Sequence, residues 1–276
     1  MAEETRALKP VERIKSLAQT DQIKRRFEDM LGKRAPAFIS SVISAVSSNQ
    51  ALSECEPMSV FSAAAVAASM DLPINQSLGF AHIVPYQGVA QFQIGWKGFI
   101  QLAMRTGQYK TINAAIIYEG QLKDENPFTG EMEFQKEKIS DKVIGYLLYF
   151  KLLNGFEKYY YMTREEAEAH GKRYSRSFGS DKGRWKNDFD AMALKTVVKM
   201  GLSKYGVLSI DMQRAMEVDQ AEITPEGEVK GYPDAPEAAP VQQAPASTKP
   251  SRLKEAVAKT APAPEAQPQQ QEESPI

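Results

Sequence analysis

The hydrophobic pattern of this 276-residue chain changes period at Gly79, and that switch constrains the fold more than any other feature. Before it, apolar residues recur every three or four positions: Val11, Ile14 and Leu17, then Phe38, Val42 and Val46, then an Ala-rich run after Pro57. That spacing puts them on one face of a helix. Pro57 suits a helix start, and Pro73 lies beyond the end. From Gly79 onward apolar residues alternate instead. "FAHIVPYQGVAQFQIG" reads as two short strands joined at Gln87-Gly88. "YKTINAAIIYEG", "KVIGYLLYFKLL" and "GFEKYYYMT" are β-branched or aromatic strands separated by Gly and Asn turns. A helix starting at Trp96 and ending at Gly107 divides the hairpin from these strands. Thr163 with Glu166 forms a capping box for the next helix, and Arg184 to Tyr205 reads as one long closing element. Helices, a hairpin, a helix, strands, then helices make an α+β fold with a largely antiparallel sheet.

Composition changes at a second point, near Ile223. The remainder is rich in Pro, Ala, Gln and Glu and nearly devoid of large apolar groups, so it cannot offset chain entropy by burial. The expected organisation is therefore a helical self-association segment over residues 1–34, an α+β core over 35–222 and a disordered acidic tail over 223–276. The charged "DQIKRRFEDM" supplies the subunit contact in the first, and the last offers a partner-binding element. The formal net charge of −1 hides an asymmetry, with 28 basic and 23 acidic residues through Lys204 but 6 and 12 from Tyr205 onward. A basic body with an acidic tail is common in proteins that handle nucleic acid, and acidic tails also serve solubility.

Several function classes are excluded by what the sequence lacks. One cysteine, Cys55, rules out an internal disulfide framework and fits a reducing cytoplasm. With only His82 and His170 beside it, a structural zinc site is not expected. No apolar run approaches the ~20 residues of a membrane span, and the polar start carries no signal peptide. No Gly-x-x-x-x-Gly-Lys-[Ser/Thr] run exists, so no phosphate-cradling loop for ATP is expected. A metal-dependent nuclease would draw on Asp188, Asp190 or Glu119. Residues two apart point away from each other on a helix, which weakens the first two as a pair. An RNA-binding phage protein is the other alternative.

Positive charge gathers where the chain is also aromatic. Lys172–Lys204 holds nine basic residues against three acidic. Arg173, Arg176, Lys182, Arg184 and Lys186 alternate there with Tyr174, Phe178 and Trp185, and Lys195 and Lys199 share a face of the helix that follows. Cations that track phosphates, with rings that stack on bases, are what a single-strand groove requires. Upstream, Lys97, Gln101 and Arg105 fall on one helical face opposite the stripe Trp96, Phe99, Ile100, Ala103 and Met104, and Lys110 begins the next strand. The competing reading is a solvated basic surface, with Trp185 and Phe189 as core anchors at i and i+4.

The ordered set "LGFAHIVPY", "QFQIGWKGFIQLAMRTGQYKTINAAIIYEG", "YYYMTREEAE" and "GRWKNDFDAMALKTVVK" resembles the RecT family of phage-type single-strand annealing recombinases, most strongly from Pro57 to Ile210. The resemblance implies an ATP-independent protein that anneals complementary DNA strands and assembles into rings or helical filaments. It also implies the α+β core shared with the lambda Beta protein. Implied partners are a 5′→3′ exonuclease and a host single-strand binding protein. No cofactor is implied, with Mg²⁺ left open as a modulator of annealing. Lys97, Arg105 and Lys195 stand at basic positions of the family motifs, which implies DNA contacts for them.

Overall fold

Amphipathic helices build the first third of the structure, a computed structural model that describes residues 9–181 and 183–234. They are α1 (Pro10–Ala18), α2 (Asp21–Leu31), α3 (Ala35–Ser47), α4 (Gln50–Ser53) and α5 (Pro57–Ser69), with a 3-10 turn after α2. The Thr20 hydroxyl accepts the Ile23 N–H to cap α2, and the Glu56 carboxylate accepts from Met58 and Ser59 to cap α5. Ile14, Ile23, Phe27, Val42 and Val46 are fully covered, and α5 is buried from Ser59 to Ala68. Its small side chains let neighbouring helices approach closely. Each buried Phe in this cluster contributes roughly 1.5–3 kcal/mol relative to exposure. The apolar faces of α1 and α2 are thus consumed inside the chain. Residues 9–34 belong to the core, and only their charged outer faces remain for contacts with other molecules.

The hairpin follows as read: β1 (Ala81–Tyr86) pairs antiparallel with β2 (Val89–Ile94). Gln87 and Gly88 both have positive φ, 49° and 82°, as a tight hairpin turn of this hand demands. Ala81, Ile83, Phe92 and Ile94 face the core, while His82, Val84, Tyr86 and Gln93 alternate onto the other face. Next comes α6 (Trp96–Arg105), packed so closely that a Cβ on Gly98 would strike the Phe80 carbonyl. Then β3 (Tyr109–Tyr118), β4 (Leu122–Glu125), β5 (Met132–Phe134), β6 (Val143–Leu152) and β7 (Glu157–Thr163) complete the main strands. The larger sheet has the order β3-β6-β7, and β4 and β5 form a separate hairpin that the sequence pattern does not announce. Every strand pairing among the described residues is antiparallel. The fold is α+β.

Four helices close the unit: α7 (Arg164–Tyr174), α8 (Arg184–Asn187), α9 (Phe189–Tyr205) and α10 (Ile210–Val218). The capping box of Thr163 and Glu166 is present. The single element expected from Arg184 to Tyr205 is broken at Asp188, whose backbone leaves the helical region at φ −152°, ψ 63°. That break lets Trp185 meet Phe189 edge-on at 5.4 Å between ring centroids. The expected tail boundary also moves. Strands β8 (Glu222–Ile223) and β9 (Val229–Gly231) pair with each other, Ile223 is buried, and the chain stays packed to Asp234. Pro225 and Gly227 turn two short β-branched pieces back on each other, a local signal that the average composition masks. Residues 235–276 of the expected tail lie outside the described residues. Among the described residues no helix is long and apolar enough to cross a membrane.

Candidate nucleic-acid interface

The outward face of the β1–β2 hairpin is one wall of a groove. The other wall is residues 175–181 and 183 with α8 and the first turns of α9. Adjoining hollows of about 360, 380 and 470 Å³ run along it, and all three are lined by Arg184. Val84, Gln93 and Met192 are common to the first two. Gln76, Ser77, Trp96 and Lys97 close one end, and Tyr86, Arg176 and Asp234 the other. Asp234 fastens that second end: its carboxylate accepts from the Ser175 hydroxyl at 2.7 Å and the Ser177 N–H at 3.0 Å. The segment just past the expected core boundary therefore positions the loop that carries Arg176.

Lys97, Arg176, Arg184 and Lys195 line the groove together with the carboxylates of Glu54, Asp188 and Asp234. Arg184 and Lys97 have no acidic partner among the described residues, and the Lys97 ammonium lies 5.6 Å from the Trp96 ring centroid. His82 lies on the hairpin wall. Burial, then Arg184 and Lys195, push its pKa down to about 4, so the imidazole is neutral at neutral pH. Its Nδ1 and both side-chain polar atoms of Gln91, a residue 1% exposed, have no hydrogen-bond partner among the described residues. Those atoms are buried, so what the groove presents to a ligand is the exposed charge of Arg184 and Lys97, which suits phosphates.

The candidate residues read from the sequence divide sharply. Lys97, Arg176 and Arg184 reach the groove with their charges at its surface. Trp185 lines it only as a wall, because the ring is 5% exposed between Phe178 and Phe189. Phe178 is half-buried against the same ring and Gly171, so neither ring is presented for stacking. Lys195 is a correction to the expected surface contact. Its side chain is 9% exposed and its ammonium donates to Asp219 at 2.8 Å, as does Lys199 to the other carboxylate oxygen. The Ile94 N–H donates to Asp219 as well, so this carboxylate ties the hairpin to α9. Burial alone would raise the Asp219 pKa, but the two lysines hold it below the ordinary carboxylate range. Arg105 is exposed but lies outside the groove lining, where its guanidinium donates to the carbonyls of Met70 and Asp71 at 2.5 and 2.7 Å at the end of α5.

The remaining candidates lie apart from the groove lining. Lys186 is paired with Asp181, Arg173 stacks over Tyr174 at 5.3 Å, and Gln101 and Lys110 sit on α6 and β3. Lys182 lies outside the described residues. The carboxylates considered for a nuclease are engaged separately. Glu119 accepts from Ser140 at 2.7 Å, Asp190 from the Tyr146 hydroxyl at 2.5 Å, and Asp188 lines the groove. Among the described residues no three His, Cys, Asp or Glu side chains gather as a metal site. The residues that sequence reasoning missed are His82, Gln93 and Asp219. Hairpin alternation held the signal for the first two, whereas nothing local marks Asp219.

Comparison with known proteins places the chain in a family. Over 205 residues the chain is 54% identical to "Uncharacterized protein YqaK" of Bacillus subtilis strain 168, covering 74% of this chain and 70% of that protein. It is 29% identical over 185 residues to "Protein RecT" of Escherichia coli strain K12, covering 62% of this chain and 66% of that one. The sequence profile of the RecT family matches residues 36–232, and the match takes in both groove walls and the β8–β9 segment. The chain belongs to the RecT family, whose members serve single-strand annealing in recombination.

Proposed function

We propose that this chain captures single-stranded DNA along the hairpin groove and anneals it to a complementary strand without nucleotide hydrolysis. Arg184, at the junction of three hollows and without an acidic partner among the described residues, is the observation that carries the reading. Lys97 and Arg176 extend the positive track to either side. Phosphate neutralisation gives affinity without sequence preference. Specificity then belongs to base pairing with the incoming strand.

In this reading the protein makes and breaks no covalent bond, and Mg²⁺ acts on the strands rather than at a dedicated site. Copies assemble on DNA as a ring or filament, so that successive grooves align along one strand. A 5′→3′ exonuclease supplies the single strand, and a single-strand binding protein of the host competes for it. The test is annealing of two labelled complementary oligonucleotides with neither ATP nor Mg²⁺ present, repeated with each added. Annealing with no nucleotide supports the proposal. A strict ATP requirement, or cleavage of the labelled strands that tracks the pure protein, contradicts it.

A further inference from the structure

The β4–β5 hairpin holds out an aromatic side chain. Phe128 at its tip is 97% exposed, an unfavourable place for a large apolar group unless something covers it. The tip is well bonded. Asn126 Oδ1 accepts from the N–H groups of Phe128 and Thr129, and the Gly130 N–H donates to the Asn126 carbonyl at 2.7 Å. At the base, Phe134 packs on Tyr159 with ring centroids 6.0 Å apart. The collar carries Asp124, Glu125 and Glu131 beside the tip, against one cation, Lys158, whose ammonium packs on Gly130; the hairpin's own Lys123 is tied to Glu133.

A socket of opposite character lies between α7, α9 and α10. This cavity of about 350 Å³ is walled by Tyr174, Trp185, Met192, Met200 and Met216. Lys195 and Lys199 share the single carboxylate of Asp219 in its lining, so two cations meet one anion there. Lys199 remains 31% exposed toward the opening. A benzene-sized ring fits in roughly 150 Å³, so the socket has room for Phe128 and part of its neighbour Pro127. Methionine walls adapt readily around an inserted ring.

We infer that Phe128 of one copy inserts into this socket on a second copy, with the acidic collar facing Lys199. The inference rests on the self-assembly proposed above and specifies its contact. Knob and socket are different surfaces, so the contact is head-to-tail. Every added copy leaves one of each unfilled, and the assembly either closes into a ring or continues as a filament. The socket shares Trp185 and Met192 with the groove wall, which places the subunit contact directly behind the DNA site.

Sedimentation velocity over a range of concentrations, with and without a single-stranded oligonucleotide, tests this on the full chain. Phe128→Ala removes the knob at a position too exposed to affect folding, and Ser203→Trp fills the socket from its exposed rim. Each variant alone is expected to need at least tenfold higher concentration to assemble, with unchanged far-UV circular dichroism. Mixed in equal amounts, they retain one working contact and form dimers but nothing larger. Variants that assemble like the parent, or a mixture that stays monomeric, overturn the knob-and-socket contact. A parent chain that is monomeric under every condition overturns the self-assembly reading instead.

Discussion

Replacing Asp219 with alanine should unlock the groove from the core. The carboxylate accepts from Lys195 at 2.8 Å, from Lys199 at 2.8 Å and from the Ile94 N–H at 3.1 Å, with no exposure of its own. Its removal strands an ammonium that is 9% exposed and orphans a buried backbone donor. Breaking a buried ion pair from one side costs about 3–5 kcal/mol, a large part of the ~5–15 kcal/mol that holds a typical domain together. With a urea slope of about 2–3 kcal/mol/M for a chain of this size, the midpoint should fall by about 1–2.5 M. Asp219→Asn, which keeps an acceptor for Ile94, should fall less. Lys199→Ala should fall least, because Lys195 still neutralises the carboxylate. The assay is urea denaturation followed by far-UV circular dichroism. An Asp219→Ala midpoint within ~0.3 M of the parent would refute the clamp, since such a shift is worth less than ~1 kcal/mol.

Other substitutions separate structural groups from ligand contacts. Arg105→Ala should lower stability by about 1–3 kcal/mol through the uncapped carbonyls of Met70 and Asp71, while single-strand affinity of the folded protein stays unchanged in a filter-binding assay. Trp185→Ala should cost about 3–5 kcal/mol as a core truncation, and Trp185→Leu, which keeps apolar bulk without an aromatic face, should retain the DNA binding of the folded protein, which a stacking role would not allow. His82 gives a pH signature. Its folded pKa of about 4 lies below the ordinary 6.5, so the unfolded chain binds more protons between those values. Stability is therefore full above pH ~6.5 and declines as pH falls toward ~4; in denaturation series at stepped pH, His82→Gln should flatten that decline.

What was legible in the sequence was local, and what was not depended on distant partners. Gln87-Gly88 announced the hairpin because two successive positive φ angles suit few other pairs. The Thr163–Glu166 capping box lies within one helical turn and was equally plain. Lys97 and Arg184 were recognisable as cations within ring-rich segments. Whether a cation is free, however, is decided elsewhere in the chain. Lys195 is neutralised from 24 residues away and Arg105 is occupied by a carbonyl 35 residues away, and no spacing rule encodes either. Trp185 shows the same limit, since an aromatic residue between basic ones fits both a stacking platform and a core anchor. The β8–β9 turn was missed for another reason: a Pro-rich average outweighed the short Ile223 to Val229 signal.

The central claim is that the hairpin groove, and not basic surface in general, holds the strand. The direct measurement is the slope of log affinity against log salt for one single-stranded oligonucleotide, taken for the parent, Lys97→Ala, Arg184→Ala and the double variant, with Lys136→Ala as a control away from the groove lining. Removing one cation that neutralises a phosphate of a single strand should flatten the slope by ~0.7. The account predicts one such step for each groove variant, two for the double variant and none for Lys136→Ala. Equal flattening for Lys136→Ala and the groove variants, or none for any of them, would contradict it.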